Sequence, residues 1–388
     1  MSNKLISFYY EKHFYYFLIF WAIHLIITLF RLIPNEFFEI KMSFDNLDSN
    51  KEKLENAKIN ELINLVWQIF AELLGGMAYL CYNESILENI NKDKKKILYL
   101  MLISICYFIY RLRNFLYYLL SQCAEKLRSN EVNLGIGLSI IFTIIFLKYI
   151  NKEIIFYFHH KVSITITLIA FFLMSSTDIY SIINQDKGIQ MSNKLIYLII
   201  NAFHSIFFPL SYSLYKILMN NYLSPLSLIF INGIFETILL MIILPILFFT
   251  KIIKIGKIDF DSVLFIFWIL IKICYIIFYF IRLFIILKII NKYNPAYMIF
   301  MISINSFFSF IVRFFSKKED SIYNKSIWCI IVDSISLVFL TFAGLLFNEI
   351  LIIHKFGLDL KTRFSLKMIA DDEILDNDEI LDKKEDNY

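Results

Sequence analysis

Ten apolar runs, each about the length a helix needs to cross a bilayer, recur along this chain and decide its class before any motif is considered. They cover residues 14–33, 62–82, 97–119, 132–150, 162–182, 195–218, 225–249, 262–289, 296–315 and 326–347. Each can cross a hydrocarbon core of about 30 Å as a helix rising about 1.5 Å per residue. Unpaired backbone groups find no water in lipid, so such runs are expected to be helices. Composition agrees: 59% of the 388 residues are hydrophobic and 19% are charged, against about 45–50% and about 25% in soluble domains. The expected fold is an all-α integral membrane protein of ten transmembrane helices. Five scattered cysteines without a CxxC pair argue against a disulfide framework or zinc site, and a net charge of +4 argues against nucleic acid.

Local signals sharpen some boundaries. Ser224-Pro225 and Asn294-Pro295 each place a capping side chain before a proline at the first helical position. Pro209 removes a backbone donor inside the sixth run, which predicts a kink. The first run is long, aromatic and lacks a small-residue cleavage site, so it is expected to remain as a helix. Lys and Arg divide almost evenly between the two sets of loops, leaving orientation undecided by charge. The charged tail, with its twin Asp-Glu-Ile-Leu-Asp at 372–376 and 378–382, favours cytoplasmic termini. On that topology the sequon at Asn324 would face the far side and the one at Asn83 the cytoplasm. The expected location is the plasma membrane or an endomembrane.

The two halves resemble one another. The stretch 17–24 matches 197–204 at Leu, Ile, Ala and His, ending in His24 and His204, 180 residues apart. Glu72 and Glu236 are 164 apart, as are Lys161 and Lys325. Residues 102–109 match 270–277 at six of eight positions. Matches in one order with nearly constant offsets predict two five-helix repeats, 1–182 and 195–347, joined by a loop at 183–194 and followed by a polar tail at 348–388. An odd number of spans per repeat would insert the second half upside down relative to the first, the inverted arrangement on which alternating access is built.

Ionisable groups in the middle of apolar spans are costly and ordinarily face a cavity or a partner. Glu72, Glu236, His24 and His204 all fall near the centres of their runs. They are the candidate lining of a solute or ion site, with hydrogen bonding between helices as the structural alternative. Lys272 lies deep in the eighth run and is the candidate anion anchor, with Asp333 as a counter-charge. Arg111, Arg113 and Arg282 have stems long enough to snorkel towards an interface. Gly75, Gly76 and Gly233, about one turn from the two glutamates, would let helices approach closely there. His159-His160 reads as a polar pair in a short loop more readily than as a metal pair.

Nucleotide-binding, metalloprotease and nucleophile-elbow motifs are absent. The chain resembles the drug/metabolite transporter superfamily. The likeness rests on ten spans in two repeats, on the segment Leu138 to Ile169 with its His159-His160-Lys161 loop, and on Gly344 to Ile350 running into Phe356-Gly357-Leu358-Asp359. It implies a carrier with cytoplasmic ends and a central cavity between the halves. The expectation is therefore a non-enzymatic secondary transporter of a small polar solute, proton-coupled or exchanging, without a cofactor. Its partners would be solute and lipid bilayer, with a homodimer as an option. A lipid-modifying membrane enzyme and a non-transporting structural subunit are the alternatives.

Overall fold

A computed structural model describes residues 6–8, 15–29, 42–44, 49–80, 94–120, 134–151, 156–185, 191–221, 223–254, 256–258, 262–301, 327–362 and 365–366. About 86% of these are helical. The helices are α1 (Tyr15–Leu29), α2 (Ser49–Leu80), α3 (Lys94–Arg111), α4 (Arg113–Leu120), α5 (Leu134–Phe146), α6 (Phe158–Gln185), α7 (Met191–Asn221), α8 (Pro225–Phe249), α9 (Ser262–Lys292) and α10 (Ile327–Phe347). A π-helical turn, Leu147–Asn151, continues α5, and residues 295–301 are helical as well. Among the described residues, five helices are long and apolar enough to cross a membrane, spanning Phe158–Thr177, Leu198–Asn220, Pro225–Phe249, Phe265–Lys292 and Ile327–Phe347. Three shorter apolar helices cover Tyr15–Ile26, Ile97–Arg111 and Leu138–Asn151. Most of the ninth apolar run, both sequons at Asn83 and Asn324, and the acidic tail at 372–382 lie outside the described residues.

The predicted helix starts are present. Ser224 has extended backbone and its side chain accepts the Ser227 N–H at 3.2 Å, with Pro225 as the first helical residue. Asn294 accepts the Tyr297 N–H at 3.2 Å in the same way before Pro295. Helix α7 runs through Pro209, and the third run is divided where a turn at Leu112 separates α3 from α4.

Two buried clusters organise the packing. The larger gathers Phe20, Leu100, Ile103, Tyr212, Leu228, Ile286 and residues 296–301; the smaller surrounds Leu65, Ile69, Phe108 and Leu240. Many large apolar side chains point outward instead, among them Phe172, Met241, Phe249 and Trp328. That exterior suits a solvent of hydrocarbon chains, against which apolar surface carries no hydration penalty. Helices α6 and α10 form an antiparallel pair, with Thr177 donating to Asp333 at 2.5 Å at one end and His159 facing Glu349 at 3.2 Å at the other. Two short antiparallel ribbons, Ile6–Phe8 with Leu351–Ile353 and Met42–Ser43 with Lys257–Ile258, join distant parts of the chain.

Candidate functional site

Glycine makes the site. On α2, Gly75 lies where a Cβ would overlap the Phe280 ring, and at Gly76 a Cβ would overlap the Phe230 side chain. On α8, a Cβ at Gly233 would stand 3.0 Å from the Glu72 Cβ and 3.3 Å from the Leu73 nitrogen. The bare backbones let α2 approach α8 and α9 closely, and this brings Glu72 and Glu236 together in the protein interior.

Both carboxylates are fully buried and both are ion-paired to one residue, Arg111 at the end of α3. Its Nη1 donates to Glu236 and its Nη2 to Glu72. Nη2 also meets the Tyr279 hydroxyl at 2.5 Å, while the guanidinium lies 4.4 Å from the Tyr107 ring centroid and 5.4 Å from that of Tyr279. From the opposite side Asn232 Nδ2 donates to Glu72 at 3.1 Å and to Glu236 at 2.9 Å, and Ser104 Oγ donates to Asn232 Oδ1 at 2.9 Å. A buried ion pair needs hydrogen bonds to its remaining polar atoms; Asn232 supplies them to both carboxylates, while the Arg111 Nε has no hydrogen-bond partner among the described residues. One guanidinium faces two carboxylates. The trio therefore carries a formal charge of −1 when both acids are ionised and is neutral when they share a proton.

Beside the trio is a cavity of about 310 Å³. Arg111, Arg113 and Arg282 reach its wall, five tyrosines (107, 110, 212, 275 and 279) supply most of its aromatic surface, and no lining residue is acidic. Gln68 Nε2 donates to the Tyr275 hydroxyl at 3.0 Å. His204 also lines the cavity; its Nε2 donates to the Tyr110 carbonyl at 2.7 Å and its ring stacks on Tyr110 at 4.4 Å. The Nε of Arg282 is buried without a hydrogen-bond partner among the described residues.

The structure thus unites Glu72 with Glu236 and puts His204 on the adjoining cavity. His24 is on α1, its ring 6.5 Å from that of Phe20, and is not among the cavity-lining residues. Lys272 is buried elsewhere, donating to Asn64 at 2.6 Å with its ammonium 5.6 Å from the Trp268 ring centroid. Asp333, suggested above as its counter-charge, accepts from Thr177 instead. Arg111 does not snorkel: held by two acids, it is the central residue that sequence reasoning placed at an interface. The available signal was stoichiometric, since two carboxylates at similar depth call for a cation. The tyrosine wall was also missed, because tyrosines at helical spacing look like core.

His159 and His160 are not in a loop. They occupy the first turn of α6, buried with Glu349, and ligand-type atoms of the three lie within 4.8 Å of one another. The Tyr157 N–H donates to Nδ1 of His160 at 3.2 Å, so in the neutral ring the proton sits on Nε2. That nitrogen lies 4.0 Å from a Glu349 carboxylate oxygen, and His159 Nε2 lies 3.2 Å from the same oxygen.

No protein-family model and no curated protein matches this chain.

Proposed function

We propose that this protein is an integral membrane carrier that moves a small polar solute by alternating access between two inverted repeats, with Glu72, Glu236 and Arg111 as its proton-coupling element. The observation that carries the reading is the meeting of Glu72 and Glu236, at matching positions of the two sequence repeats, on one guanidinium beside a cavity.

The helix pairings support it. Exchanging the halves maps α2 onto α8 and α6 onto α10, and each packs on its own counterpart. The same exchange relates α1 on α9 to α7 on α3, and α2 on α9 to α8 on α3; all four contacts occur. Polar detail follows suit. Ser104 and Lys272 are matched positions, and each bonds an asparagine on the second helix of the opposite half, Asn232 and Asn64. Arg111 corresponds to Tyr279 in the same alignment, and these two touch. A shared element at a pseudo-symmetric centre is suited to changing sides as the halves rock. Likeness to the drug/metabolite transporter superfamily, drawn from the sequence, points the same way.

Chemically, a proton on the carboxylate pair removes the trio's surplus negative charge and loosens its hold on Arg111, freeing donor capacity towards the cavity. Loss of that proton restores the pair's grip. The test is reconstitution in proteoliposomes with a lumenal pH dye and a panel of small polar solutes. At least one solute should drive proton movement above that of empty vesicles, and Glu72→Gln/Glu236→Gln should abolish the coupling. A panel that moves neither solute nor proton overturns the carrier reading.

A further inference from the structure

One cation on the cavity wall, Arg282, has no carboxylate partner among the described residues, and the surplus negative charge of the adjoining trio disappears when its acids share a proton. Arg111 is matched by two carboxylates, but Arg282 has no ion pair with any described residue, and no acid reaches the lining. A guanidinium held inside a bundle without a counter-ion is expensive, and a donor left without an acceptor costs more again. Arg113, on α4, lines the same space from the other half of the chain. The same wall holds the rings of Tyr107, Tyr110, Tyr212 and Tyr275, packed on one another and on Phe208, His204 and Tyr279, with hydroxyls that can donate. A space of about 310 Å³ is at the small end of ligand cavities, enough for one ring and one acidic group.

We infer that the cavity binds a small organic anion, a carboxylate or phosphate carried on a planar ring, with Arg282 as its charge partner and the tyrosine side chains as the aromatic wall against which the ring packs. This deepens the carrier reading and rests on it only for the role of that anion as cargo. Arg282 and the lining residues Tyr107 and Tyr110 come from opposite halves of the sequence, so an anion held against both draws the halves together and gives the occupied protein a reason to change sides. Guanidinium suits the task because its planar fork meets two oxygens of a carboxylate or phosphate at once.

The test is direct binding to the full chain in nanodiscs of phosphatidylcholine alone, where the bilayer offers no net negative charge. Thermal unfolding is followed with benzoate and phenyl phosphate, with neutral benzamide, with cationic benzamidine, and with acetate as an anion lacking the ring. Benzoate or phenyl phosphate should raise the unfolding temperature in a saturable way, because only binding to the folded state stabilises it. Benzamide and benzamidine should not, and acetate should act only at much higher concentration. Arg282→Gln should weaken anion binding by about tenfold or more, while Arg282→Lys should retain part of it and guards against a variant that fails to fold. Equal stabilisation by neutral or cationic probes, or unchanged anion affinity in Arg282→Gln, overturns the inference. So does loss of the anion effect when phosphatidylglycerol is added to the nanodisc, which would assign the site to a lipid headgroup. Binding that depends on Arg282 in a protein that moves no solute would sink the carrier reading and leave the anion site standing.

Discussion

The behaviour of the Glu72–Arg111–Glu236 trio follows from its charge count. Replacing either acid alone leaves one carboxylate against one guanidinium, a balanced buried pair. Glu72→Gln and Glu236→Gln should each fold, therefore, with little loss of thermal stability, and both should flatten the pH dependence of uptake by removing the shared proton site. The double change leaves Arg111 without a counter-ion, and Arg111→Met leaves two acids without a cation. Both of these should lose about 3–5 kcal/mol, the usual cost of stranding a buried charge. Thermal unfolding of the four purified variants decides the matter. Single glutamines as damaging as the double would mean that the trio is not held together by charge balance. The glutamates were legible in the sequence as mid-span acids, but their partner was not. An arginine inside an apolar run has the same sequence signature whether its long stem carries it outward to a headgroup or inward to a neighbouring helix.

At the scale of the element, capping and close packing can be tested separately. Ser224→Ala removes the acceptor for the Ser227 N–H and should cost about 1 kcal/mol of stability without altering transport, since the cap lies about three turns before Glu236 and is not among the cavity-lining residues. Gly76→Leu should do the reverse of a local change. Its side chain would occupy the place of Phe230 and wedge α2 from α8, at about 1–3 kcal/mol for overpacking. Because Glu72 is one turn away, the same wedge should uncouple proton movement from solute uptake. If Gly76→Leu transported normally, the close approach of α2 and α8 would not be what assembles the trio. Helix starts such as Ser224-Pro225 are readable in sequence because their chemistry is local. The glycine contacts were readable only as an opportunity, since sequence does not say which helix takes the space.

For the whole molecule, the α6–α10 pair fixes how the end of one half meets the end of the other. Thr177 with Asp333 and His159 with Glu349 give a single antiparallel register, and Ala170, Met174, Leu337 and Leu340 form the buried seam between them. Ala170→Cys with Leu340→Cys, in a background lacking the native cysteines, should cross-link with a short bifunctional reagent. Shifting one partner by two residues, which turns it to the opposite face of its helix, should not. A cross-link in the shifted pair and none in the first would break the register. Glu349 also adopts a left-handed backbone at the close of α10, with φ 56°, where glycine is the usual residue. This geometry turns the chain into the strand that pairs with Ile6–Phe8.

The sequence by itself determined the solvent and the element type. Long apolar runs exclude water, and a backbone without water closes its hydrogen bonds within a helix. It also set the depth of Glu72, Glu236 and His204 along their helices, because rise per residue is constant. The tertiary structure decided which helices are neighbours and which face each presents. That is why Arg111 became the centre of the trio, why Lys272 went to Asn64 instead of the cavity, and why His159 met a glutamate 190 residues away. In apolar surroundings almost any lipid-facing side chain satisfies the hydropathy pattern, so hydropathy carries little azimuthal information. Small residues, hydrogen bonds and paired charges choose the contacts, and those act only once the helices have met.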